Sequence, residues 1–143
     1  KVAVCGDIKH SRVAGSLMVL AKKFGFTLYH CGPDSLLPSD GNRVFLDDIL
    51  PEVDALMMLR IQLERHDMNL NAESYHQQFG LDLKRLSKMQ KHAIILHPGP
   101  FNRGIELSDE IVEHPQSRIF NQVSNGVFTR MAVLEWAVNM RSA

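Results

Sequence analysis

Residues 55–67 read ALMMLRIQLERHD. Five small or apolar residues, Ala55 to Leu59, run without interruption; two arginines, a glutamine, a glutamate and a histidine then crowd into Arg60–His66. A strand with one wet face alternates apolar and polar residues. An unbroken apolar run is the pattern of a strand covered on both faces, as in a parallel sheet. Such a strand is expected to end in a Gly or Asp turn, yet this one ends in guanidinium groups. The rest of the chain bears on both points.

Outward from this stretch, strand-like and helical patterns alternate. Lys1–Gly6 is a short apolar run closed by Gly6-Asp7. Ser11–Phe24 has apolar residues at helical spacing, with Ser11 as N-cap and Gly25 as stop. Phe26–Cys31 is a second strand closed by Gly32-Pro33-Asp34, and Asp47–Leu50 a short helical piece. Asp54–Leu59 is the third strand. Ser74–Phe79 and Leu83–Gln90 read as helices, and His92–His97 as a fourth strand running into the turn-rich HPGPFNRG. Ser108–Glu113 is a short helix with acids in its first turn. Asn125-Gly126 reads as the entry bend of a longer helix, Val127–Met140. Strand–helix alternation with right-handed crossovers predicts an α/β fold: a Rossmann-like, doubly wound parallel sheet with helices on both faces, as a single domain over residues 1–143.

Composition narrows the function classes. The 143 residues carry 16 Lys+Arg and 16 Asp+Glu, for zero net charge. That balance argues against broad nucleic-acid or anionic-membrane binding and makes any local arginine cluster a feature to explain. No apolar run approaches the roughly 20 residues of a membrane helix. Cys5 and Cys31 lie in strand-like runs without metal-ligand spacing, and read as buried, reduced and structural, hence cytoplasmic. The chain opens directly on the strand KVAVCGD with no leader, as natural domains can and as a piece cut from a longer protein does.

In an open parallel sheet, ligands bind beyond the carboxyl ends of the strands. Three of those ends read GDIKHSR, LRIQLER and HPGPFNRG, which send Arg12, Arg60, Arg65 and Arg103 toward one rim. One arginine after a strand is most often a surface ion pair. Three strand ends doing the same favour a receptor for carboxylate or phosphate, because the guanidinium fork pairs two oxygens at once. Glu64 is placed to pair locally with Arg60. His97, before Pro98, reads as a structural cap, and His10, His66 and His76 are isolated, so no metal site is expected. The G-x-G-x-x-G spacing is missing after the first strand, as are the phosphate-binding P-loop and the G-x-S-x-G elbow, which disfavours a nucleotide binder or serine hydrolase.

GDIKHSRVA, LMMLRIQLERH, HPGPFNRGIE and IFNQVSNGVFTRMAVL together closely resemble the aspartate carbamoyltransferases of bacteria, in that family's order and over nearly the whole chain. The related ornithine enzymes carry H-C-L-P where this chain has His97-Pro98-Gly99-Pro100, and S-M-G where it has Arg60-Ile61-Gln62. The resemblance covers only the family's second, aspartate-binding half. The family's carbamoyl-phosphate loop, Ser-Thr-Arg-Thr, occurs nowhere in this sequence.

The resemblance implies transfer of the carbamoyl group of carbamoyl phosphate to the amine of L-aspartate, an early step of pyrimidine synthesis, without metal or organic cofactor. It assigns Arg12 to one aspartate carboxylate and Arg60 to the other, with Gln62 hydrogen-bonding beside it. Glu64 then orients Arg60, and Arg65 ties its loop to the first domain. The backbone of Gly99 and Pro100 faces the carbamoyl group and the attacking amine; many relatives have Leu at the Gly99 position. Roughly His66–Gly80 matches the loop that folds over aspartate. No catalytic residue is assigned within this chain. Implied partners are a carbamoyl-phosphate domain and a homotrimer of the complete chain, with regulatory or dihydroorotase-like chains left open. The last helix, whose Val127, Phe128, Met131, Leu134, Trp136 and Val138 span more than one face, runs in the family against the first domain, so an exposed apolar patch is expected here. The competing reading is a non-catalytic dicarboxylate-binding or assembly module.

Overall fold

A computed structural model describes residues 1–61 and 71–141. Five parallel strands, β1 (Val2–Cys5), β2 (Leu28–Cys31), β3 (Asn42–Arg43), β4 (Ala55–Met58) and β5 (Ile94–Leu96), lie in the order β3-β2-β1-β4-β5. The expected parallel α/β sheet is therefore present, with one strand more than the four expected. The addition, β3, is two exposed residues at the sheet edge, too short and too polar to carry a periodic signal.

Period-2 alternation sorts the strands' side chains onto two faces. Ala3, Cys5, Leu56, Met58 and Ile95 enter one core cluster, with Leu50, Leu86 and Ile111 from the elements above it. Val4, Met57 and Leu59 enter the other, under Ala14, Leu17 and Met18 of α1 (Arg12–Phe24). With both faces covered, the apolar run at 55–59 needs no alternation. Cys5 and Cys31 are buried free thiols, and burial pushes Cys31 up to about 12.

Local chemistry sets the helix ends. Ser11 Oγ accepts from the Ala14 N–H (3.2 Å), and Gly25 closes α1. Asn71 caps α3 (Ala72–Phe79) and Asp82 caps α4 (Leu83–Leu86) by accepting from the Ser74 and Arg85 N–H groups. Arg85 in turn donates to the carbonyls of His76, Gln77, Gln78 and Gly80 at the end of α3, and to Asp47 beside α2 (Leu46–Ile49). The carbonyls at a helix end lack following N–H groups within the helix; here the Gly80 N–H closes onto His76, Cys5 Sγ reaches Phe79, and Arg85 gathers most of the rest.

The last part of the chain departs from expectation. After α5 (Asp109–Val112), α6 runs unbroken from Ile119 to Arg141, through Asn125-Gly126 rather than bending there. A glycine inside a helix costs about 1 kcal/mol relative to alanine, too little to break one of 23 residues. Ile119 anchors it in the core, whereas Phe128, Met131, Leu134 and Trp136 are exposed.

Candidate functional site

The strand order reverses direction at β1: the chain moves outward to β2 and β3, then returns to place β4 on the other side. Loops leaving β1 and β4 diverge there, and this switch point forms the crevice of open α/β sheets. Cys5 pairs with Met58, and Met57 with Leu96, so β1, β4 and β5 end at one level. Leu59 extends the contact by donating its N–H to the Cys5 carbonyl (2.8 Å).

Arg60 leaves the sheet directly after Leu59. It is half-buried, and its Nε is a buried donor with no hydrogen-bond partner among the described residues. An unpaired buried donor is costly unless something binds it. Arg12 opens α1 beyond β1, exposed, at the positive end of that helix. Gly99 and Pro100 follow β5 and are exposed at the same rim, with Gly99 at φ +66°, a left-handed conformation. The space where a Gly99 Cβ would project is open.

His97 shapes this turn. Its Nδ1 accepts from the Gly99 N–H (2.9 Å), and its own N–H donates to Gln122 Oε1 (3.2 Å). Full burial pushes the imidazole down to about 4, so it stays neutral. The expected structural cap is what the geometry gives.

Arg103 does not join the rim as an anion receptor. Its Nη1 donates to Asp109 (3.1 Å), and its guanidinium lies over the Phe101 ring, 5.8 Å from the centroid. An acid in the next helix turn thus captures it locally. Gln62, Glu64 and Arg65 lie outside the described residues. A concavity of about 470 Å³ farther along the sheet edge contains Arg43, which already donates to the Pro38 carbonyl (2.7 Å), and Asp34, whose charge repels an anion.

Two residues without an assigned role complete the region. Glu106 is fully buried; its Oε1 accepts from the Ile61 N–H (2.7 Å) and from Asn102 Nδ2 (3.0 Å), and its Oε2 from the Asn102 N–H (2.7 Å). Asn102 Nδ2 also donates to the Ile61 carbonyl (3.2 Å). Burial raises the Glu106 carboxyl, and the N–H donors oppose that. The available signal was an acid between Ile105 and Leu107, where an apolar residue belongs.

No three His, Cys, Asp or Glu side chains come together as a metal site among the described residues, and no described helix is long and apolar enough to cross a membrane.

Residues 1–137 match the family described as aspartate/ornithine carbamoyltransferase, Asp/Orn binding domain. The chain is 50% identical to the aspartate carbamoyltransferase catalytic subunit of Enterococcus faecalis, across 94% of this chain and 46% of that protein. Against the same subunit of Latilactobacillus sakei it is 45% identical, across 99% and 48%. A solved structure of Trypanosoma cruzi aspartate transcarbamoylase, in complex with carbamoyl aspartate and phosphate, superposes with a TM-score of 0.81 at 28% identity, over 93% of this chain and 47% of that one. The chain therefore spans about half the length of the relatives it matches. These similarities agree with the resemblance carried by the four motifs.

Proposed function

This chain belongs to the aspartate/ornithine carbamoyltransferase family, within its Asp/Orn-binding domain, and from that premise we propose that it is the aspartate-binding half of an aspartate carbamoyltransferase. The reaction is attack of the neutral L-aspartate amine on the carbonyl carbon of carbamoyl phosphate. The new C–N bond replaces the C–O bond to phosphate and yields N-carbamoyl-L-aspartate. In this reading residues 1–143 form one domain, and the groups that hold phosphate and polarise the carbonyl belong to a separate carbamoyl-phosphate domain.

What supports this reading is the topology: Arg12 opens the helix that follows β1, Arg60 follows β4, the Gly99-Pro100 turn follows β5, and β1, β4 and β5 are neighbours at the switch point. A dicarboxylate needs two cationic forks at a fixed separation, and strand ends hold that separation better than loops. Arg12 takes one carboxylate of aspartate and Arg60 the other. Gln62 hydrogen-bonds beside Arg60, Glu64 orients it, and Arg65 braces that loop against the carbamoyl-phosphate domain. The Gly99 and Pro100 carbonyls face the amine and carbamoyl group, so catalysis rests on orienting two anionic substrates. No metal or organic cofactor takes part. The complete chain acts in the cytoplasm as a homotrimer in pyrimidine synthesis.

The test is reconstitution. Residues 1–143, mixed with a separately expressed carbamoyl-phosphate domain, are expected to form carbamoyl-aspartate, whereas residues 1–143 alone are not. Activity from the chain alone would overturn the division of labour. Aspartate binding without turnover in any complete chain would favour a non-catalytic module.

A further inference from the structure

The sequence motifs leave Glu106 without a function, yet it is a fully buried acid among described residues whose other buried side chains are almost all apolar. A carboxylate is taken out of water at a cost of several kcal/mol unless its lone pairs are satisfied. Here three N–H donors satisfy it, from two loops: Ile61 beyond β4, and Asn102 beyond β5. Asn102 closes the arrangement by donating to the Ile61 carbonyl, so both backbone polar groups of Ile61 are held by the β5 loop. The backbone of Glu106 contributes as well: its carbonyl accepts from the Leu81 N–H (2.9 Å). One residue thus fixes both Ile61, after β4, and Leu81, after α3.

An apolar residue of similar volume would fill the same space without desolvating a charge. What the carboxylate adds is direction. It sets where Ile61 lies relative to the loop that starts at Gly99-Pro100, and Ile61 is bonded to Arg60. We propose that Glu106 is a positioning residue for the aspartate site, holding Arg60 in register with the Gly99-Pro100 turn through the Ile61 backbone. This rests on the assignment of Arg60 to an aspartate carboxylate. Glu106 touches no substrate; it determines the geometry in which Arg60 meets one.

The experiment is a double-mutant cycle in the complete carbamoyltransferase chain: wild type, E106Q, R60A and E106Q/R60A. Glutamine keeps the shape of the side chain but turns an NH2 group toward the Asn102 N–H. E106Q is expected to lower kcat/KM for aspartate about tenfold, the factor one hydrogen bond to a charged group represents. The KM for carbamoyl phosphate should stay within about twofold, and E106Q should add less than about twofold on the R60A background, because coupled residues are not additive. A purely structural role gives the same loss on both backgrounds, and that outcome, or unchanged aspartate kinetics in E106Q, overturns the proposal. If melting shows that E106Q does not fold, N102A, which removes only the donor to Ile61 and Glu106, replaces it in the same cycle with the same criteria. A wild-type chain that makes no carbamoyl-aspartate, or an R60A variant with wild-type aspartate kinetics, would instead overturn the functional reading itself.

Discussion

Gly6 and Leu59 meet where β1 and β4 leave the sheet: a methyl group on Gly6 would stand 2.8 Å from the Leu59 carbonyl oxygen, and Gly6 has φ +129°. Gly6, which belongs to no nucleotide fingerprint, is there for close strand contact. Gly6→Ala combines a backbone clash with a disallowed φ, so it should cost at least about 2 kcal/mol of stability. Because Leu59 precedes Arg60, the aspartate KM should rise as well. Urea unfolding and steady-state kinetics check both parts; wild-type stability in the variant would refute the contact.

Arg60→Ala in the complete chain should lower kcat/KM for aspartate by about 3 kcal/mol of transition-state stabilisation or more, since a carboxylate loses a charge-assisted fork. Carbamoyl phosphate binding should barely change. Unaltered aspartate KM and kcat would remove Arg60 from the site.

Substrate choice follows from the same charge. Ornithine presents a cation where aspartate presents its second carboxylate, a like-charge encounter with Arg60 rather than a missing contact. Citrulline formation should not exceed background in a colorimetric assay with the complete chain, and a clear signal above it would count against aspartate specificity.

His97 predicts a pH effect on stability. Its folded value of about 4 lies below the ordinary 6.5 because burial disfavours the charged ring. As pH falls, the unfolded chain takes up the proton first, so this contribution is complete above about pH 6.5, declines toward pH 4, and is flat below. The full change is up to about 3 kcal/mol. Urea unfolding of wild type and His97→Asn at pH 7, 5.5 and 4 measures it. The advantage of wild type should shrink across that range, and a constant difference would show that the ring titrates alike in both states.

α6 predicts the behaviour of residues 1–143 in isolation. Phe128, Met131, Leu134 and Trp136 are each 60% exposed or more, and Val127 is 53% exposed. A surface helix ordinarily buries such a set. Sedimentation should show concentration-dependent association that Met131→Glu with Leu134→Glu abolishes. Trp136 emission should shift to the blue when a carbamoyl-phosphate domain is added. Monomeric behaviour at all concentrations, with unchanged emission, would show that this face needs no cover.

Much of the molecule was legible in one dimension because its determinants are local. Ser11 and Gly25 bound α1 through bonds made within one turn of the helix. The Ala55–Leu59 run announced a strand covered on both faces because burial on two sides leaves no polar position to alternate. The rim followed from the general rule for parallel sheets, and Arg12 and Arg60 were placed on it from the strand ends they follow, whereas Gly99 and Pro100 were singled out by the family resemblance.

Tertiary structure decided what depends on contacts distant along the chain. Strand order made β1 and β4 neighbours, so Arg12 and Arg60, 48 positions apart, follow adjacent strands at the switch point. It also added β3, whose exposed Asn42 and Arg43 carry no apolar signal and pair only because β2 is there to receive them. Arg103 was withdrawn from the rim by an acid on the next element. Asn125-Gly126 stayed helical because the anchoring of α6 outweighs the intrinsic cost of its glycine. The bracket of Glu106 and Asn102 around Ile61 joins residues more than 40 positions apart. Hydrogen-bond geometry across such a separation exists only once the sheet has brought β4 and β5 side by side, so sequence pattern alone contained the partners but not their pairing.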